Sequence, residues 1–417
     1  MQSEKLNVQK SYKTENNFKA NNSIESSMID GTSKYTEGER ISVTNPRLNF
    51  PKTILAGDQK IWFDLEVSST SGKHEIANNF GMAVIEKLVA KFGTVEFQCI
   101  NDFNVLALYR DMWLTKNERE LLYDQGVDDQ DGKINKIRIT GAEPTGASDE
   151  EKAIARVYGN RFCLPLSKFF EGTLHLPFVQ SDGKFPLNYE LTLAKNSKVL
   201  KDTPAASGKS ADAKFSISKL GFEHSIIDNA SIYDTVKNIS SSRRYLFDKI
   251  VEEKSGILDG DETTWQMDLK VVAKSLKAVV ILFAKEHKDF ENKGEKFYNP
   301  LISEVQVTLG DNPRMLYLNG MQPRHMYDAA ASIFKSSPDS MMTMKKFFTD
   351  GYALVLDFKS YKDKIFHGTG LSIDGATKLH LKMLRKKDPA TSKCEFYVFS
   401  IKEASVTVTD QGVYVIA

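Results

Sequence analysis

Period-two alternation of apolar and polar residues constrains this chain more than any other feature. A strand with one apolar face has to bury that face against a second sheet. KIWFDLEV (60–67) places Ile61, Phe63, Leu65 and Val67 on one face, and TVEFQCIND (94–102) does the same with Val95, Phe97 and Cys99. Far downstream, SEVQVTLGD (303–311) alternates Val305, Val307 and Leu309 and again ends at a turn. Short strands rich in Val, Ile, Phe and Tyr, with few long helical patterns, predict β-sandwiches rather than an α/β sheet. At about 100–200 residues per domain, the length of the chain predicts two or three of them.

The first 44 residues have sparse apolar residues and no period, which predicts a disordered arm over 1–44, and its six basic and six acidic residues cancel. NNFGMAVIEKLVAKF (78–92) spaces Val84, Leu88 and Phe92 as a short helix would, and NVLALY (104–109) reads as a strand. TKNERELLYDQG (115–126) reads as a helix capped by Thr115 and stopped at Gly126. Residues 127–157 read as a long polar loop. Strands resume at NRFCLPLSKFF (160–170), TLHLPFV (173–179) and LNYELTL (187–193), closing a first sandwich over 45–200. Small polar residues make 201–221 a linker or long loop. A second sandwich over 222–417 carries strands at TWQMDLKV (264–271), KAVVILFAKE (277–286), SEVQVTLGD and MLYLNG (315–320). A helix at PRHMYDAAASIF (323–334) follows, then strands at YALVLDF, KLHLKML, EFYVFSI, ASVTVT and GVYVIA.

The two halves repeat one order of elements. Val95, Phe97 and Cys99 align with Val305, Val307 and Leu309, and Leu106 and Leu108 align with Leu316 and Leu318. Asp64-Leu65 and Val67 align with Asp268-Leu269 and Val271, and Phe169-Phe170 with Phe347-Phe348. The chain therefore reads as all-β: two copies of one antiparallel sandwich fold with a few short helices in the connections.

Chemistry is conspicuous by what fails to assemble. GKS (208–210) needs a Gly five positions earlier to be a phosphate loop, and Thr203 stands there. DDQDG (128–132) would need carboxylates at positions held by Val127 and Arg138 to be a calcium loop, and reads as an acidic turn. None of the seven histidines forms a pair one residue apart; the nearest two, His367 and His380, are 380 − 367 = 13 apart. His325 and Tyr327 read as the start of a helix behind Pro323, and Trp62, Trp113 and Trp265 as packing residues rather than a sugar-binding face. No catalytic, cofactor-binding, metal or other binding residue is assigned, and no cofactor is expected. Basic and acidic residues number 56 and 55 and are mixed along the chain, so direct nucleic-acid binding is not expected. Cys99, Cys163 and Cys394 are far apart and odd in number, which predicts a reducing compartment. No run approaches the ~18 apolar residues of a membrane span, and no signal-peptide core is expected, so the sequons at Asn21, Asn229 and Asn238 carry no weight.

Asn78-Asn79, the apolar run after it, TVEFQCIND and the aromatic-containing helix resemble the first half of double-jelly-roll major capsid proteins. That is the tectivirus–adenovirus lineage, which includes Polinton-like elements, adintoviruses, virophages and large DNA viruses. The family's Asn-Gly turn is Asn101-Asp102 here, and survives as Asn319-Gly320 in the second half. CLPLSKFFEGTLHLPFV followed by PLNYELTL is similar to the family's later strands. The resemblance spans about residues 45–417, with Polinton-like and adintovirus coat proteins as the nearest relatives. It implies an all-β fold of two tandem eight-stranded antiparallel jelly rolls with a few short helices in the connections, and a non-enzymatic structural subunit, three copies of which form a pseudo-hexagonal capsomer of an icosahedral virion. It also implies neighbouring capsomers as partners, the 127–157 loop as a tower or intersubunit clasp, and the arm as a contact for penton or minor capsid proteins. Read from the residues alone, a two-domain β-sandwich binding module for a glycan or protein ligand, or an enzyme on a jelly-roll scaffold, stays open, as does a minor capsid role.

Overall fold

The computed structural model describes residues 21–30, 33–68, 74–128, 133–141, 143–166, 179–180, 184–202, 213–238, 243–285, 296–310, 320–359, 370–375, 377–387, 393–409 and 411–417. The first half contributes β1 (Asn21–Asp30), β2 (Arg40–Thr44), β3 (Lys52–Ser68), β4 (His74–Ile76), β5 (Ile85–Phe92) and β6 (Val95–Ile100). It continues with β7 (Arg161–Pro165), β8 (Val179–Gln180), β9 (Leu187–Leu193), β10 (Leu200–Asp202) and β11 (Lys214–Asp228). The second half contributes β12 (Arg243–Asp259), β13 (Thr264–Leu269), β14 (Ala273–Lys285), β15 (Ile302–Leu309) and β16 (Ala353–Asp357). β17 (Leu371–Ile373), β18 (Leu379–Arg385), β19 (Lys393–Val408) and β20 (Val413–Ile416) complete it.

The sheets make the duplication explicit. In the first half one sheet runs β1-β11-β3-β7 with β8 beside β3, and the facing sheet runs β2-β9-β5-β6. In the second half one sheet runs β12-β19-β14-β16 with β17 beside β14, and the other runs β13-β18-β15. All these pairings are antiparallel. Taken in chain order, β1 answers to β12, β2 to β13, β3 to β14, β5 to β15, β7 to β16, β9 to β18 and β11 to β19. Each half is a jelly roll, as expected. No named strand of one half pairs with one of the other among the described residues.

This correspondence corrects the residue alignment read from sequence. β3 matches β14, so Asp64-Leu65 does not answer to Asp268-Leu269 in β13. Likewise β15 answers to β5 rather than to Val95–Cys99 in β6. Phe347-Phe348 lies in the helix Met344–Thr349, ahead of β16; Phe169-Phe170, Leu316 and Leu318 lie outside the described residues.

Four further expectations change. Residues 21–30 and 40–44 of the expected arm are strands of the first sandwich: β1 pairs with β11 over nine positions, and β2 buries Ile41 and Val43 against β9. Backbone pairing orders β1 and apolar burial adds to it in β2; residues 1–20 lie outside the described set. The run after Asn79 is a one-turn helix, Phe80–Ala83, followed by strand β5, and NVLALY is inside the helix Phe103–Asp111. The 127–157 loop holds two helices, Lys133–Thr140 and Asp149–Tyr158, closed over their own small core of Ile134, Ile137 and Ala155. The 201–221 linker overlaps β10 and β11, and β11 is a central strand of the first sandwich. GKS (208–210), MLYLN and most of TLHLPFV lie outside the described residues. EFYVFSI and ASVTVT are one continuous strand, β19.

Other elements form as expected. Thr115 caps the helix Lys116–Glu120 in a reciprocal capping box with Glu118, and Gly126 ends the following turn at φ 86°. Trp265 is buried in the second sandwich, and its indole N–H donates to the Asp259 carbonyl at 2.8 Å.

His224, on β11, is buried beside Phe222 with ring centroids 5.2 Å apart. Burial lowers its pKa from the ordinary 6.5, with Glu25 and Glu223 pulling the other way. An unfolded chain takes up the proton near 6.5 and the folded one resists it, so the stabilisation holds above that pH and drains away below it. Urea midpoints of wild type should therefore fall between pH 7 and pH 5 more steeply than those of His224→Leu; parallel slopes would contradict this.

Candidate assembly surfaces

The two jelly rolls are fused by two apolar seams, and one continuous core runs through both. In the first seam β6, the edge of its sheet, meets the leading half of β12. Phe97 packs edge-on against Phe247 at 5.4 Å, and Phe92 stacks on Tyr245 at 5.8 Å. The Gln98 amide stands in for a missing strand partner: Nε2 donates to the Asp248 carbonyl at 3.3 Å, and Oε1 accepts from the Ile250 N–H at 3.2 Å.

In the second seam the helix Phe103–Asp111 and its following turn pack against the helix Pro323–Phe334. Trp113 stacks on Tyr327 at 6.0 Å and on Phe334 at 6.2 Å, while Tyr109 meets Phe297 and Phe334 edge-on at 5.0 and 5.1 Å. The Met341 N–H donates to the Leu114 carbonyl at 3.1 Å, and the Ser340 hydroxyl donates to the Trp113 carbonyl. These contacts join the two sandwiches through packed side chains rather than by a tether alone.

Ionic groups brace the same region. Lys198 lies 2.8 Å from both Glu86 and Asp102. Burial opposes its charge, but the two carboxylates outweigh burial and raise its pKa. Where β12 and β19 extend toward the first half, Lys277 pairs with Asp248 at 2.6 Å and Lys402 with Glu253 at 2.7 Å, all largely buried. Pairs this desolvated fix register more than they add stability.

The Asn78-Asn79 motif has a local structural role. Asn78 Oδ1 accepts from the N–H groups of Asn79 and Asp128, and its Nδ2 donates to the Asp128 carbonyl. Asn79 adopts φ 53° to start the helix Phe80–Ala83, and its side chain donates to Asp111. The pair thus bolts the 127–157 excursion to the sandwich. Asp128, the described member of the acidic turn, accepts from the Asn135 N–H and so anchors the start of the next helix; 129–132 lie outside the described residues.

Other residues weighed from sequence are accounted for. His325 Nδ1 accepts from the Gln322 N–H at 3.3 Å in a helix cap, and the Tyr327 hydroxyl donates to the Met342 carbonyl at 3.2 Å. His380 pairs with Asp268 across strands at 2.6 Å. Trp113 and Trp265 are buried, and Trp62 donates to Glu223 at 3.1 Å. Cys163 and Cys394 are buried, Cys99 half-buried, and all three are free thiols. Among the described residues no group of three His, Cys, Asp or Glu side chains could hold a metal ion, and no helix is long and apolar enough to cross a membrane.

Sequence reasoning missed the exposed apolar surface. Ile24 and Met28 on β1 are 73% and 64% exposed, four residues apart on the outward face of an edge strand. They sat inside the expected arm, where a lone Ile and Met carry no signal.

No family model and no curated protein matches the chain. Solved structures match it along nearly its whole length. A chain of the PBCV-1 virus capsid aligns with a TM-score of 0.62 at 11% identity, over 96% of this chain and 98% of that one. The Faustovirus major capsid protein aligns at 0.56 and 10% identity, over 95% and 91%, and the mavirus major capsid protein at 0.53 and 10%, over 94% and 89%. The chain shares the double-jelly-roll fold with these proteins.

Proposed function

We propose that this chain is a viral major capsid protein, a structural and non-enzymatic subunit whose homotrimers are pseudo-hexagonal capsomers of an icosahedral shell. The observation that carries the reading is the joining of two jelly rolls of corresponding strand order through one continuous core. A trimer of such chains offers six similar wedges around a three-fold axis, which fits a six-fold lattice position. The near end-to-end match in fold with capsid chains, without large additions on either side, supports it. Neighbouring capsomers are its main partners, residues 1–20 ahead of β1 are the contact for penton or minor capsid proteins, and the 127–157 excursion is the variable intersubunit element. The three free thiols fit synthesis in a reducing compartment, and the net charge of +1 leaves genome packaging to other proteins. Polinton-like and adintovirus coat proteins remain the proposed nearest relatives.

Light scattering on a sizing column, with negative-stain images of the peak, tests this. The expected particle is a trimer of 3 × 46.9 = 140.7 kDa with a hexagonal outline. A folded protein that stays at 46.9 kDa at high concentration would sink the capsid reading.

A further inference from the structure

One ionic cluster of the second jelly roll sets a single amine against two carboxyls on three adjacent strands. Asp248 on β12 and Glu403 on β19 stand directly opposite each other in their antiparallel pair. Lys277 comes from β14, on the other side of β19, at the irregularity between Leu276 and Ala278. Such bulges re-aim a side chain. Its Nζ lies 2.6 Å from Asp248 Oδ1 and 3.6 Å from Glu403 Oε1. The side chains of Lys277, Asp248 and Glu403 are only 11%, 16% and 7% exposed. The Ser275 hydroxyl donates to Glu403 Oε2 at 2.8 Å and accepts from the Gly370 N–H at 3.0 Å, which leaves Oε1 facing the amine.

We infer that Lys277 and Asp248 condense to an isopeptide bond, with Glu403 carrying the proton. The Lys277 ammonium cedes a proton to the Asp248 carboxylate, giving an amine and an acid, neutral forms that a desolvated site favours over separated charges. The Nζ lone pair attacks Cγ, and the Nζ–Cγ bond forms. Cγ is one bond beyond Oδ1, close to the ~3–3.5 Å at which positioned groups react. Glu403 takes a proton from Nζ and returns it to a hydroxyl on Cγ; that Cγ–O bond breaks and one water leaves. Nothing is oxidised or reduced, and Glu403 ends as it began. Its contact with Nζ is long, as contacts for proton transfer often are before the reaction. The product removes two buried charges, whose pairing recovers little of their desolvation cost, and its new N–H can donate to Glu403. The reaction occurs once per chain and is not turnover. It ties β12 to β14 across β19 in a chain whose three cysteines are free, and it stands independently of the capsid reading.

Two other lysines serve as internal controls. Lys198 also meets two carboxylates, but Glu86 there is 27% exposed and the pair holds the amine charged. Lys402 meets Glu253 with the Ser400 hydroxyl beside them in place of a second carboxyl. Both should stay unlinked.

Intact mass spectrometry of the full chain, purified folded and then denatured, is the test. The expected mass is one water below that of the sequence. A tryptic digest should contain residues 245–249 joined to 275–285, with no cut after Lys277. Lys277→Arg should abolish the link, and Glu403→Gln should slow it by about a hundredfold or more. The wild-type digest decides the matter even where a variant fails to fold. Recovery of 245–249 as a separate peptide, with normal cleavage after Lys277, from folded chain held for days at neutral pH would overturn the assignment. So would a water loss confined to a single peptide, the mark of a succinimide.

Discussion

Trp113→Ala is expected to destabilise the protein by about 3–5 kcal/mol, the range for truncating a large buried aromatic. Trp113 is 1% exposed and touches Tyr109, Tyr327, Phe334 and Phe347, so most of its neighbours belong to the other jelly roll. Its loss opens a cavity in the seam rather than inside either sandwich. Trp265→Ala, inside the second sandwich, should cost a similar amount but leave the seam closed. The two variants therefore separate on a readout beyond the urea midpoint. Trp113→Ala should raise hydrogen exchange in both Phe103–Asp111 and Pro323–Phe334, and Trp265→Ala should not. Trp113→Phe keeps a ring in the stack and should recover most of the loss. If Trp113→Ala left both helices as protected as in wild type, the seam would not be what couples the halves.

Where burial follows a strict period the strands were legible: β9 and β18 each alternate buried and half-buried residues along their full length. The misreadings have specific causes. Val84, Leu88 and Phe92 recur every four residues, a spacing that puts side chains on one face of a helix and equally on one face of a strand. β5 takes the second option because it is flanked by β6 and β9. NVLALY lost the opposite contest, since Phe103, Leu106 and Ala107 are buried at helical spacing and Asp102, at φ 44°, turns the chain into a helix. β1 was illegible because Ile24 and Met28 point outward and only Ile29 packs on the core, so periodicity had nothing to report. The duplication was legible as order and not as register. Adjacent strands such as β13 and β14 both alternate, and only the pairing pattern tells which of them answers to β3.

Arg138→Met should cost about 3–5 kcal/mol, the penalty for breaking a buried charged group's contacts while its partners stay buried. The guanidinium is nearly enclosed and donates to three backbone carbonyls: Gly159 through Nε at 2.8 Å, and Tyr123 and Arg161 through its terminal nitrogens at 2.5 and 2.6 Å. It also lies 3.8 Å from the Phe162 ring centroid. Burial lowers its pKa to about 10, against the pull of Asp124, Asp128 and Tyr158, and it remains charged at neutral pH. Methionine would fill much of the volume but leave three carbonyls without their donor, at about 1–3 kcal/mol for each one that stays dry. Lysine keeps the charge but, as a point donor, cannot reach three carbonyls in a plane, so Arg138→Lys should recover only part of the loss. The damage should be local, because the three carbonyls tie the 127–157 excursion to the start of β7. Limited proteolysis should cut Arg138→Met within 127–157 well before wild type, with the second jelly roll still resistant. Equal protection of the excursion in the two proteins would show that Arg138 is not what holds it down.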